Sequence, residues 1–168
     1  MRLLRINNVA IYKSIEFGLT DHNFDGSSKW YLHASEYYGN DGEAAKLNFI
    51  RTGECYYLPI TPSELDSAYS IENYCEYRGE VLECSFNGEK NEFGFDMRWV
   101  SKEICEKFGL AYEYERKVIS RGIEDTGLVM RVPDSEIQDV WEIHKPIEGF
   151  PFKGPEKVWV KKDGVWLR

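Results

Sequence analysis

TPSELDSAYSIENYCEY, residues 61 to 77, can be read in two ways, and the fold class turns on which reading wins. Thr61 offers an N-cap hydroxyl, Pro62 suits the first helical position, and Glu64 places a carboxylate three residues after the cap, which together make a capping box. Leu65, Ala68, Tyr69 and Glu72 then continue one helical face, so the spacing predicts a helix from 62 to about 69. Beyond it, YSIENYCEY suits a strand as well as it suits a helix running on to Gly79.

Either side of this stretch the pattern is mostly that of strands. RLLRI, VAIYKSIEF and KWYLHASEYY, within residues 2 to 38, are short runs rich in β-branched and aromatic residues, broken by the turn-like DGSS. GNDG at 39 to 42 reads as a loop. KLNFIRTGECYYLPI reads as a hairpin about Thr52 and Gly53, with EAAKLNFIR open to a helical start. EVLECSF, the turn NGEK and then NEFGFDM form a second hairpin pattern. Ser101-Lys102-Glu103 caps an expected short helix, SKEICEKF, which Gly109 stops. LAYEYERKVIS, GLVMRV and IQDVWEIHK read as strands, with Pro133-Asp134-Ser135 turning between the last two. KVWVKKDGVWLR is a closing hairpin about Lys-Asp-Gly. HKPIEGFPFKGPEK, just before it, combines three prolines, two glycines and two phenylalanines, as expected of a strap laid over a core rather than a polar linker. The expected class is α+β: a β-rich single domain over residues 1 to 168, with a bent antiparallel sheet and two or three short helices.

Composition agrees with a globular chain. Of 168 residues, 42% are hydrophobic and 30% charged, which excludes a disordered segment. No stretch approaches the length of a membrane-spanning helix, and the N-terminus lacks the apolar run and small-residue cleavage site of a secretory signal. Cys55, Cys75, Cys84 and Cys105 lack the paired spacing of a zinc site. The expectation is four reduced thiols in a cytoplasmic protein.

Charge is distributed unevenly. Residues 36 to 96 hold thirteen acidic against four basic residues, a net −9, while the whole chain carries −8. The densest part, residues 72 to 97, sets Glu72, Glu76, Glu80, Glu83, Glu89, Glu92 and Asp96 among Tyr74, Tyr77, Phe86, Phe93 and Phe95. Such a segment repels nucleic acid and membrane phosphates and speeds association with a basic partner.

No catalytic constellation is legible. His22, His33 and His144 are scattered, and HExxH, GxSxG, P-loop and dinucleotide-binding patterns are missing from the sequence. Glu113 and Glu115 would share one strand face and Tyr112 and Tyr114 the other, as a half-exposed strand requires. The most enzyme-like fragment is ERKVISRGIEDTGLVMR, where Arg116, Arg121, Glu124 and Asp125 could border a small-ligand pocket. No metal or cofactor is expected.

With its acidic segment 72 to 97 and aromatic tail PIEGFPF…KVWVKKDGVW, this small chain without enzyme motifs resembles the immunity proteins of bacterial polymorphic toxin and contact-dependent inhibition systems. The resemblance covers general character over the whole chain. It implies a protein that binds and neutralises one cognate toxin domain, such as a basic nuclease or an NAD-degrading domain. Glu72, Tyr74, Glu76, Tyr77, Glu80, Glu83, Glu89 and Glu92 are then the expected partner-binding residues, with carboxylates steering association and rings anchoring it.

Overall fold

Residues 67 to 77 are a strand. In the computed structural model the capping residues at Thr61 make one 3-10 turn, Pro62–Glu64, and no α-helix follows. The Glu64 carboxylate does reach back to the Thr61 N–H (2.8 Å) and hydroxyl (2.7 Å), and these bonds hold it below the usual carboxylate range. Leu65 is already extended, at φ −92° and ψ 144°. The Asp66 N–H then donates to the Ile11 carbonyl at 2.8 Å, and its carboxylate accepts the Ser14 N–H at 3.0 Å. The backbone groups a helix would use are thus claimed by a neighbouring strand. From Ile71 onward the side chains alternate strictly: Ile71, Asn73, Cys75 and Tyr77 are buried, and Glu72, Tyr74 and Glu76 are not. Period two overrides the cap.

That outcome corrects the expected fold class. The described residues are 4–5, 7–22, 29–35, 40–96, 106, 112–119 and 122–167, with the backbone alone described for His22, Asp96 and 112 to 129. Among them fourteen antiparallel strands stand against one six-residue α-helix and two 3-10 turns, so the protein is β-rich rather than α+β with two or three helices. The helix, α1 (Asp41–Lys46), lies where GNDG read as a loop and EAAK left a helical start open. Of the helix expected at 101 to 108 only Glu106 is described, and its backbone is helical.

Two compact units form, each from separate stretches of chain. The first comprises residues 6–71 and 144–156. Its strands are β1 (Asn7–Tyr12), β2 (Ile15–His22), β3 (Lys29–Ser35), β4 (Ile50–Thr52), β5 (Cys55–Ile60) and the start of β6 (Ser67–Tyr77). Their order is β6-β1-β2-β3-β5-β4. On one face Ala10, Phe17, Leu19, Leu32, Ile60 and Leu65 pack with Ala44 of α1 and with Phe49, whose ring lies 4.9 Å from Phe17. Val9, Tyr69 and Ile71 form a smaller cluster with Ile11 and Phe152. Phe152 belongs to the proline-rich segment, which is stitched down by the Ala68 N–H to Pro151 carbonyl bond (2.7 Å) and by Ser67 Oγ to the Lys153 carbonyl (3.1 Å). The Trp30 ring meets Phe150 edge-on at 4.9 Å. This segment straps its unit, as its composition suggested.

The second unit comprises residues 1–5, 72–143 and 157–168. Here the rest of β6 pairs with β7 (Glu80–Glu83), and β12 (Asp139–Pro146), β13 (Lys157–Lys162) and β14 (Val165–Trp166) follow on its other side. A second sheet has the order β10-β11-β9-β8, from β10 (Tyr112–Ile119), β11 (Gly122–Pro133), β9 (Glu92–Asp96) and β8 (Ser85–Asn87). EVLECSF, which read as one strand, breaks at Cys84: β7 stays in the first sheet and β8 enters the second. The core draws on both sheets, with Cys75, Tyr77, Leu82, Val140 and Val160 meeting Phe93, Phe95, Met130 and Val132. Each such fully buried large apolar side chain contributes roughly 1.5–3 kcal/mol.

Among the described residues three hairpins close on two-residue turns in which both residues have positive φ: Lys13-Ser14, Arg78-Gly79 and Asp163-Gly164. Such turns match the strand twist. A Cβ on Gly164 would lie 2.7 Å from the Gln138 side-chain oxygen, the end of an exposed, flexible side chain that can move aside, so its positive φ is what favours glycine.

Candidate partner-binding surface

Because Cys75 and Tyr77 turn into the core, Glu72, Tyr74 and Glu76 must stand on the opposite face of β6. The hairpin through Arg78-Gly79 then fixes what lies beside them: Glu83 opposes Tyr74, and Val81 opposes Glu76. On the other side, β12 and β13 contribute Trp141 and Trp159, which are register partners. Trp141 stacks on Tyr74 with centroids 6.4 Å apart and planes 21° from parallel, and it meets Trp159 at 5.5 Å in a T arrangement. Lys157 Nζ lies 4.1 Å from the Trp141 centroid and 4.2 Å from that of Trp159, and Lys162 Nζ lies 4.0 Å from Trp159. All three distances are within cation–π range. The face therefore runs from acidic residues on β7 and β6, through three rings, to lysines on β13.

Tyr74 joins the two halves. Its hydroxyl donates to Glu72 Oε2 at 2.8 Å. That bond, then burial, then the charges of Glu72 and Glu83 push its pKa up to about 12. The carboxylates of Glu76 and Glu83 form no hydrogen bond or ion pair among the described residues, and both side chains are exposed. Negative charge beside the stack is left uncompensated on its β7 side.

The eight residues expected from the sequence do not form one patch. Glu72, Tyr74, Glu76 and Glu83 come together. Tyr77 does not join them: it is 2% exposed, its ring stacks against Phe95 at 6.1 Å, and its hydroxyl donates to Glu136 at 2.9 Å. Burial first, then Glu136, raises its pKa. Glu80 is the register partner of Tyr77 and so belongs to that side of the sheet. Glu89 and Glu92 sit in the β8–β9 hairpin of the second sheet, where Asn87 Oδ1 accepts the Glu89 and Lys90 N–H groups. Trp141, Lys157 and Lys162 were missed as partners of the acidic stretch. The Trp-Val alternation flagged strands there, but no local signal shows that β12 lies beside β6.

Two buried ion pairs in this unit are structural. Lys161, 2% exposed, donates to the Asp134 carbonyl (2.7 Å) and carboxylate (2.8 Å), and Trp166 Nε1 donates to the same carboxylate at 3.2 and 3.3 Å. Arg5 grips the fully buried Glu142 through Nε (3.2 Å) and Nη2 (2.6 Å). Each carboxylate is met by a cation and by more than one donor, Lys161 with Trp166 on Asp134 and two Arg5 nitrogens on Glu142, the condition for tolerating it.

The ligand-pocket alternative lies largely where the backbone alone is described. Register sets Arg116 opposite Asp125 and Lys117 opposite Glu124, next to an irregularity at Glu115/Arg116, while Arg121 falls outside the described residues. Among the described residues, no group of three or more histidine, cysteine, aspartate or glutamate side chains is placed to hold a metal ion. Cys55, Cys75 and Cys84 are free thiols, and Cys105 lies outside the described residues. No helix among the described residues is long and apolar enough to cross a membrane. Comparison of the chain with protein-family models, curated proteins and solved structures found no match.

Proposed function

We propose that the chain is a binding protein of the immunity type, which neutralises a basic toxin domain in the cytoplasm by docking it on the outward face of β6, β7, β12 and β13. The observation carrying this reading is the grouping of unpaired Glu76 and Glu83 with Tyr74 and the tryptophan pair on one sheet face. A domain that handles phosphates must carry positive charge, and unpaired carboxylates attract it over a Debye length of about 8 Å at physiological salt. Half-buried Tyr74 and Trp159 supply rigid ring surface of the kind that dominates interface energetics, and Trp141, 8% exposed, backs them.

Growth rescue tests it. A toxic domain encoded beside this chain's gene should arrest a test host, and co-expression of the chain should restore growth. The Glu76→Lys/Glu83→Lys variant should fold and fail to protect. Full protection by the folded double variant would remove this face from the interface.

A further inference from the structure

The dipolar layout of the face says more about the partner than that it is basic. Trp141 has two aromatic neighbours, and they are served differently. Toward β13, the chain's own Lys157 ammonium already fills the angle between Trp141 and Trp159, and Lys162 covers Trp159 again. The rings at this end are cation-receptive and already supplied, and two lysines repel a further cation. Toward β7, Tyr74 lies near-parallel to Trp141, and its nearest opposing residue is the unpaired Glu83. Glu72 closes the hydroxyl end of the Tyr74 ring.

We infer that the β7 side of the Tyr74–Trp141 stack receives an arginine side chain of the partner, its guanidinium lying on the Tyr74 ring and bonded to Glu83. This rests on the docking face proposed above. Arginine fits better than lysine for a geometric reason. A planar guanidinium can stack on a ring through its face while its edge makes two parallel bonds to a carboxylate. An ammonium is a hydrated point charge and cannot do both with the same geometry. The chain has filled its own lysine-accepting angle with Lys157, whereas beside Tyr74 the exposed Glu83 carboxylate has no cation among the described residues. Val81, 60% exposed and opposite Glu76, offers apolar surface on the same face for the arginine stem.

The experiment needs no knowledge of the partner. Three capped peptides, alike except for a central arginine, lysine or citrulline, are titrated into the intact protein, followed by the indole N–H resonances and the amides of Glu76 and Glu83. The arginine peptide should shift the Trp141 indole and the Glu83 amide saturably. It should bind about tenfold more tightly than the lysine peptide, the scale of one desolvated cation–π contact. Citrulline should cause no shift. Glu83→Gln and Tyr74→Leu should each abolish the arginine preference, whereas Glu89→Gln, on the other sheet, should leave it intact. Equal binding of arginine and lysine, or no saturable shift, overturns the inference, as does an arginine preference that survives Glu83→Gln. The two readings fail separately. Selective arginine binding without growth rescue leaves the site and removes the toxin partner, while rescue without arginine selectivity leaves the docking face and removes this anchor.

Discussion

Replacing Lys161 with methionine tests the account of the second unit most severely. On β13 the pairing slips between Val140 and Trp141 of β12, with Val140 opposite Lys161 and Trp141 opposite Trp159. One extra residue, Val160, is accommodated, so Val160 and Lys161 are both buried, at 1% and 2% exposure. A lysine thereby enters the core and must be compensated by Asp134. Methionine preserves most of the stem but takes the Lys161 ammonium away from the Asp134 carboxylate, which keeps the Trp166 N–H. Removing one partner of a buried pair costs about 3–5 kcal/mol. At roughly 2 kcal/mol per molar for urea, the unfolding midpoint should fall by about 2 M. Tryptophan fluorescence and circular dichroism should report the same shift. Adding Asp134→Asn removes the uncompensated charge while keeping an acceptor for Trp166, and should recover about half of the loss or more, since deleting both charges is far less costly than deleting one. A Lys161→Met protein within about 0.5 kcal/mol of wild type, the ordinary scatter for surface changes, would refute the buried-pair account and the bulge that creates it.

Reversing Glu76 and Glu83 to lysine should change stability by no more than about 0.5 kcal/mol, because exposed charges contribute little. Association with a basic partner should slow about tenfold or more in low salt, measured by stopped flow. Tyr74 ionisation should be displaced upward in an ultraviolet pH titration and return toward the ordinary tyrosine value in Glu72→Gln. Its folded-state pKa is raised, so the stability it contributes is complete below the ordinary tyrosine range and is lost as pH rises from there through about 12. In native thiol labelling, half-buried Cys55 should react ahead of Cys75 and Cys84, which should require unfolding. Burial and the adjoining Cys75 thiol hold Cys84 well above its ordinary pKa. Equal labelling rates at Cys55 and Cys84 would contradict the core placement. Gly164→Ala should destabilise by about 1 kcal/mol through its left-handed φ of +77°, read as a lowered thermal midpoint.

Local signals were legible and non-local ones were not. NGEK and KKDG mark hairpins whose turn and flanking alternation lie within a dozen residues, and both form, whereas VAIYKSIEF, which read as one run, folds back at Lys13-Ser14 into β1 and β2. The cap at Thr61 was also real, but its energy of about 1 kcal/mol cannot hold a helix against a strand that buries alternate residues from Ile71 to Tyr77. Half of the candidate surface followed from the sequence, because the alternation of β6 alone puts Glu72, Tyr74 and Glu76 together. Tyr77 was misplaced by the same rule, which assigns it to the opposite face. Trp141 and the lysines of β13 come from strands more than sixty residues away, and nothing local encodes that adjacency.

The two units are interleaved along the chain: the first takes its strap from residues 144–156, and the second takes residues 1–5 and 157–168. Synthesis therefore delivers the pieces in an order that completes neither unit early. A ribosome adding about 5–20 residues per second has made β1 to β5 seconds before the strap that holds Phe152 over Val9 and Tyr69 emerges. Meanwhile Arg5 waits for Glu142, and the β13–β14 hairpin emerges only after the strap. The nascent chain must carry unfinished sheet edges until residues 144 to 168 have emerged. No single uninterrupted segment can be cut out to give either unit whole.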